Sequence, residues 1–313
     1  MRQTDTLARL TMLHTTPPQS APFFVVGAQR SGTTMLRLML NAHSRLCVPF
    51  ESRFIPDFHR RLAAFGDLSK LDNQRALLDA IAEDAFVRKG RLIPDKDAVL
   101  AHKPQDYAQL VHGIFAALAE SEGKARWGDK TPSYVLDMDT LWTLFPGCRF
   151  IHLVRDGRDV ALSMRSVSWG SPDLLRVAQD WRWKVTMGRK MGHMVPGHYL
   201  EIHFEDLVAE PRATLRRVCE FIGERFEDSM LDYPDTAVGA MPASSLVWHR
   251  SSVRHPDVEK VGVWRSHMTR TDQAIFDGAA GEALSAFGYP RTDAQRSLAT
   301  RLRFARYALF GHA

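Results

Sequence analysis

Cysteine is scarce in this 313-residue chain. The three present, Cys47, Cys148 and Cys219, are widely scattered, with no metal-ligand spacing and no even set for a disulfide framework. A reducing cytoplasm is the location this predicts, and no metal centre is expected. No run approaches the ~18 consecutive apolar residues of a membrane span. The first twenty residues lack the long apolar core of a secretory leader and close on Pro17-Pro18. Residues 1–22 therefore read as a loose N-terminal arm. Neither charge sign dominates: 41 Lys and Arg face 36 Asp and Glu, a net +5. That excess suits a small anionic ligand and gives no reason to expect nucleic acid. There is no internal repeat and no low-complexity segment.

One lysine is missing from a place where it would be diagnostic. Residues 23–26, Phe-Phe-Val-Val, have the length and β-branched content of a buried strand. A turn follows from Gly27 to Gly32, and Thr33 and Thr34 open a helix whose apolar face carries Met35, Leu36, Leu38, Met39 and Leu40. Strand, glycine turn and helix start make a phosphate cradle, because the first helical N–H groups lack internal partners and the helix dipole favours an anion. The spacing matches G-x-x-x-x-G-K-[ST], except that Thr33 stands at the lysine position. The cation within the turn is Arg30, a rigid planar fork of donors. The turn thus reads as a holder of a terminal oxyanion group by arginine and backbone amides, without a lysine–magnesium arrangement.

Downstream, residues 54–65, 71–87 and 107–120 are predicted helices, and 88–104 an exposed loop. Residues 124–128 read as a strand, followed by a turn over 128–132 and a helix to about 145. A buried strand over 148–154 ends in Arg155-Asp156-Gly157-Arg158-Asp159, and a helix follows to 164. Helices are also expected over 174–191, 211–222 and 271–287, with a strand over 199–203. Residues 235–260 are polar and irregular, and 291–313 form a basic C-terminal helix. Strands alternating with helices predict an α/β fold of three layers, P-loop-like, with a central parallel sheet flanked by helices. Ligands on such sheets sit beyond the carboxyl ends of the strands. Two of those ends, 27–32 and 155–159, hold the most unusual residues. Arg155 stands where a Walker-type enzyme places an acid for magnesium, and it can share a phosphate with Ser163 on the following helix. A structural ion pair of Arg155 with Asp156 or Asp159 is the other reading.

Together these pieces resemble the sulfotransferases that use 3′-phosphoadenosine 5′-phosphosulfate (PAPS), and within them the protein-tyrosine sulfotransferase-like group. The resemblance rests on Arg30-Ser31-Gly32-Thr33-Thr34, Glu51-Ser52-Arg53, Asp129-Lys130-Thr131-Pro132, and Val154-Arg155-Asp156-Gly157-Arg158 with Ser163. Residues 202–207, Ile-His-Phe-Glu-Asp-Leu, followed by Pro211, fit it as well. It covers roughly residues 23–225 and implies a sulfotransferase domain over 23–290. By this likeness Arg30 and the amides of Ser31, Gly32, Thr33 and Thr34 hold the 5′-phosphosulfate, and Arg155 and Ser163 hold the 3′-phosphate. A second arginine of the family falls on Val167 and is absent, with Arg165 as a substitute. Glu51 matches the general base, which must take the acceptor's proton as its oxygen attacks sulfur. Lys130 matches the lysine that steadies the leaving oxygen. Ser251 aligns with a second transition-state donor, and His255 stands where the family has a lysine of the late cofactor-closing loop.

The implied activity is metal-free, in-line sulfuryl transfer from PAPS, with adenosine 3′,5′-bisphosphate as product. The acceptor is a hydroxyl on a small molecule, a glycan or a peptide tyrosine. A homo-oligomer is compatible with this reading. A nucleotide kinase or NTPase is the alternative, against which Thr33 and Arg155 both count, and a non-catalytic nucleotide-binding relative is a third. His43 and His59 are further base candidates, although His43 also suits the C-terminal dipole of the first helix. Trp127, Trp181 and Trp183 either pack in the core or line an acceptor pocket. His203, beside the family's adenine-stacking position, reads as a core or surface histidine.

Overall fold

The structure is a computed structural model that describes residues 21–249, 252–292 and 294. Most of the arm (1–22), most of the basic terminal segment (291–313) and Ser251 lie outside these residues. Among the described residues five strands form the sheet: β1 (Phe23–Gly27), β2 (Leu46–Cys47), β3 (Arg126–Lys130), β4 (Arg149–Val154) and β5 (Tyr199–His203). Their order is β2-β3-β1-β4-β5, and every pairing is parallel. Val25 lies opposite both Lys130 and Ile151, so β1 is the central strand. Parallel pairing puts all five carboxyl ends on one edge. The chain fills one side of β1 with β2 and β3, then the other with β4 and β5. The reversal creates the crevice where such sheets bind ligands.

The larger helices are α1 (Thr33–Asn41), α2 (Tyr107–Ser121), α3 (Gly157–Arg165), α4 (Leu174–Met194), α5 (Pro211–Ile222) and α6 (Arg270–Ala286). Strand alternation sends Phe24 and Val26 to one face and Phe23 and Val25 to the other. The first pair packs with Ile114, Phe115, Trp127 and Phe150, under α2. The second packs with Leu36, Met39, Leu215 and Ile222, under α1 and α5. Both faces are covered, which gives the expected three-layer, P-loop-like α/β architecture. Trp127 stacks on Phe115 with ring centroids 4.6 Å apart, and Trp181 is 1% exposed against Phe276. Trp127 thus packs in the core and Trp181 is buried, whereas Trp183 is exposed.

Several local expectations need correction. The predicted helix over 71–87 divides into Leu71–Ala82 and Ala85–Gly90, because the Asp84 carboxylate accepts from the N–H groups of Phe86 and Val87 and starts a new helix. The predicted loop over 88–104 contains the helix Lys96–Ala101, capped by Asp95. Leu92 and Val99 are buried, so this segment adds to the core. Strand β3 runs two residues further than expected, which places Asp129 and Lys130 on the strand end. Pro132 then opens the 3-10 helix Pro132–Leu136, with a separate helix Met138–Leu144.

Candidate active site

The turn after β1 is shaped by Gly32. Its φ of 92° is left-handed, and a Cβ there would stand 2.3 Å from the Phe204 ring. The Gly32 carbonyl accepts from the N–H groups of Met35 and Leu36, and among the described residues no side chain caps α1. The opening amides of α1 therefore face the cleft without a side-chain partner, and Thr33 and Thr34 line its wall. Ser31 is fully buried, and its Oγ has no hydrogen-bond partner among the described residues.

Arg30 also takes a left-handed backbone, φ 67°. Its Nε donates to Ser163 Oγ at 3.0 Å and its Nη1 to the Trp248 carbonyl at 3.0 Å. Arg155 Nη1 donates to the Arg30 carbonyl at 3.4 Å and Nη2 to the Lys260 carbonyl at 2.7 Å. Its guanidinium lies over the Phe204 ring, 4.3 Å from the centroid. Burial, and then the charge of Arg155, pulls the pKa of Arg30 down. Two guanidiniums held this close are relieved by an anion between them.

Arg155 pairs with Asp159 only at 3.9 Å. Asp156 instead accepts from Arg158 Nε and Nη2 at 2.9 and 2.7 Å. Asp159 accepts from the N–H groups of Gly262 and Trp264, at 2.7 and 2.8 Å, and so latches that loop over α3. The acids beside Arg155 thus have other work, and its guanidinium lines the cleft with both Nη atoms on backbone carbonyls.

On the other side of β1, Lys130 Nζ donates to Glu51 Oε1 at 2.7 Å and stands 3.4 Å from Thr34 Oγ1. Lys130 is fully buried, and Arg53 Nε lies 3.8 Å from Glu51 Oε2. Burial pushes the Glu51 carboxyl up, but Lys130 and Arg53 override it and hold it below the ordinary carboxylate value. Glu51 is therefore ionised at neutral pH. One cleft of about 940 Å³ brings together Arg30, Gly32, Thr33, Thr34, Glu51, Arg155, Ser163 and His255.

The other candidates lie elsewhere. His43 Nε2 bonds the Arg225 carbonyl, His59 stacks on Tyr107, and His203 faces Glu201 and Tyr289. Val167 is buried, and Arg165 pairs with Asp272 at 3.0 Å. Three wall residues had no signal in the sequence. His249 lines the cleft, and burial with the charges of Lys130 and Arg30 pushes its imidazole down to about 3, so it is neutral. Lys184 reaches Gln29 Oε1 and Asp180 Oδ2 at 2.5 and 2.7 Å. Trp169 stands half exposed at the rim.

The chain belongs to the sulfotransferase family, whose sequence profile matches residues 22–228. It is 28% identical over 259 residues to protein-tyrosine sulfotransferase 2 of Gallus gallus, covering 78% of this chain and 63% of that one. A protein of Aquifex aeolicus is 24% identical over 276 residues, which are 83% of this chain and only 33% of its relative. The sulfotransferase domain of the Synechococcus PCC 7002 olefin synthase superposes with a TM-score of 0.62 at 26% identity, covering 89% of this chain and 99% of that domain. Among the described residues, no helix is long and apolar enough to cross a membrane.

Proposed function

We propose that this protein is a sulfotransferase that moves the sulfuryl group of PAPS to an acceptor hydroxyl. The observation that carries this reading is the meeting of Arg30, Arg155 and Glu51 in one cleft at the carboxyl edge of the sheet. The residues present fit a doubly phosphorylated adenosine. Ser31 Oγ and Arg155 Nε are buried polar atoms with no protein partner among the described residues, and Gly32 leaves no room for a side chain beside Phe204. When bound, PAPS supplies an activated sulfuryl group on its 5′ side.

Arg30 and the amides of Ser31, Gly32, Thr33 and Thr34 hold the 5′ end. Arg155 and Ser163 hold the 3′-phosphate, and His255 lines the same wall. Ser251, expected as a further donor, lies outside the described residues. Lys130, buried behind the cleft wall with its ammonium on Glu51 and near Thr34, is the fixed cation that stabilises charge developing during reaction. Glu51 accepts the hydroxyl proton at Oε2, because Lys130 already occupies Oε1 and Arg53 stands back at 3.8 Å. Attack is in line, with the acceptor entering from the Glu51 side.

Thermal melts with adenosine 3′,5′-bisphosphate and with ATP–magnesium test this reading. Ligand at 100 times its dissociation constant should stabilise the fold by about 2.7 kcal/mol. A shift with the bisphosphate alone supports the proposal. An equal or larger shift with ATP–magnesium supports a nucleotide kinase or NTPase instead.

A further inference from the structure

A second cavity of about 430 Å³ opens beside the main cleft and shares Gln29, Met164, Trp169 and Asp180 with it. Its floor is apolar, formed by Val160, Val177 and the buried Trp181. Its polar lining comes from Gln29, Ser171, Arg176 and Asp180. Gln29 immediately precedes Arg30, so the cavity adjoins the turn that carries Arg30. The partition between the cavities is fixed, because Lys184 bonds both Gln29 and Asp180. Trp169 is 52% exposed and belongs to both cavities. The turn that presents it requires Gly170, where a Cβ would meet the Met164 carbonyl at 1.9 Å.

We infer that this smaller cavity is a second acceptor subsite, built for a pyranose ring of a glycan-type acceptor. The inference rests on the sulfuryl-transfer reading and adds the acceptor class to it. An exposed indole offers a flat apolar plane, and a pyranose has one flat C–H face and a hydroxylated edge. The edge hydroxyls both donate and accept, which matches a lining that holds an amide, a carboxylate, a guanidinium and a hydroxyl. A plain aromatic ring would cover the same indole but offer no hydroxyls to Ser171, Arg176 and Asp180 at the edge. The volume falls in the range of ordinary small-ligand pockets.

Saturation-transfer NMR on protein saturated with adenosine 3′,5′-bisphosphate tests the inference. The probes are the methyl pyranosides of glucose, galactose and fucose, with N-acetyl-tyrosinamide as the phenolic comparison. At least one pyranoside should show ring-proton saturation that falls fivefold or more in Trp169→Ala. It should be kept in Trp169→Phe, and also in Trp183→Ala, whose exposed indole lines neither cavity. Unchanged melting of Trp169→Ala shows that the fold is intact, and each variant is saturated with the bisphosphate according to its own dissociation constant. No pyranoside signal in the wild type, a signal indifferent to Trp169, or a stronger Trp169-dependent tyrosinamide signal overturns the inference. Failure of the bisphosphate to bind the wild type is a separate result: it removes the cofactor reading, while the pyranoside comparison is still read on the free protein.

Discussion

Arg30 Nε donates to Ser163 Oγ across 3.0 Å although 133 residues separate them. The bond joins the turn after β1 to α3 behind β4, so two neighbouring strand ends form one basic wall. Arg155 reinforces it through the Arg30 carbonyl. Binding and chemistry at this wall can be separated by substitution.

Ser163→Ala should weaken adenosine 3′,5′-bisphosphate binding about tenfold, since it removes one hydroxyl from a charged ligand, roughly 1.4 kcal/mol. Arg155→Ala should abolish the bisphosphate thermal shift at concentrations that saturate the wild type. Calorimetric titration checks both. Undiminished affinity in Arg155→Ala would place the 3′-phosphate elsewhere.

Glu51→Gln should lower kcat by roughly 10²–10⁴-fold and leave bisphosphate affinity unchanged. The pKa of Glu51 lies below its ordinary value, so its basic form persists as pH falls past the usual carboxylate range. The acid limb of the rate profile should therefore lie below the ordinary carboxylate range. In Lys130→Met, burial prevails and that limb should move to higher pH, with kcat reduced about 10²–10³-fold. A limb that stays in place in Lys130→Met would remove Glu51 as the titrating base.

Asp129 is wholly buried beside Ser52 and Thr131, and burial pushes its carboxyl up to about 6. The folded state then holds a proton that the unfolded chain releases near pH 4. Its contribution to stability is complete below that value and is lost as pH rises through 6, about 3 kcal/mol in all. Asp129→Asn should be more stable than the wild type at pH 8, with a smaller difference at pH 5. Urea unfolding at the two pH values checks the sign.

Gly32→Ala should cost about 2–4 kcal/mol, from a left-handed φ and a Cβ against the Phe204 ring. Adding Phe204→Ala should not restore the melting temperature, because the backbone term remains. Full recovery in the double variant would show that the ring contact is the whole effect.

The segment 23–41 was legible because its information is local: a buried strand, a glycine turn and a helical period follow one another without interruption. The pairing of its turn with the end of β4 was legible too, since parallel α/β sheets gather strand ends on one edge. The His249 and Trp169 walls were not. Arg30 reaches the Trp248 carbonyl across 218 residues, through polar loops without periodicity. The helix Lys96–Ala101 was hidden because Arg, Lys and Asp around it read as solvent-exposed while Leu92 and Val99 turn inward. The splitting of the helix over 71–87 depended on one aspartate, and a carboxylate at position 84 looks the same in sequence whether it caps a helix or faces water.

Arg30 occupies a backbone conformation that a glycine would adopt at lower free energy. Glycine there would relax the backbone and at the same time surrender the bonds to Ser163 Oγ and the Trp248 carbonyl. Position 30 is thus kept by its distant neighbours in a shape its own backbone resists.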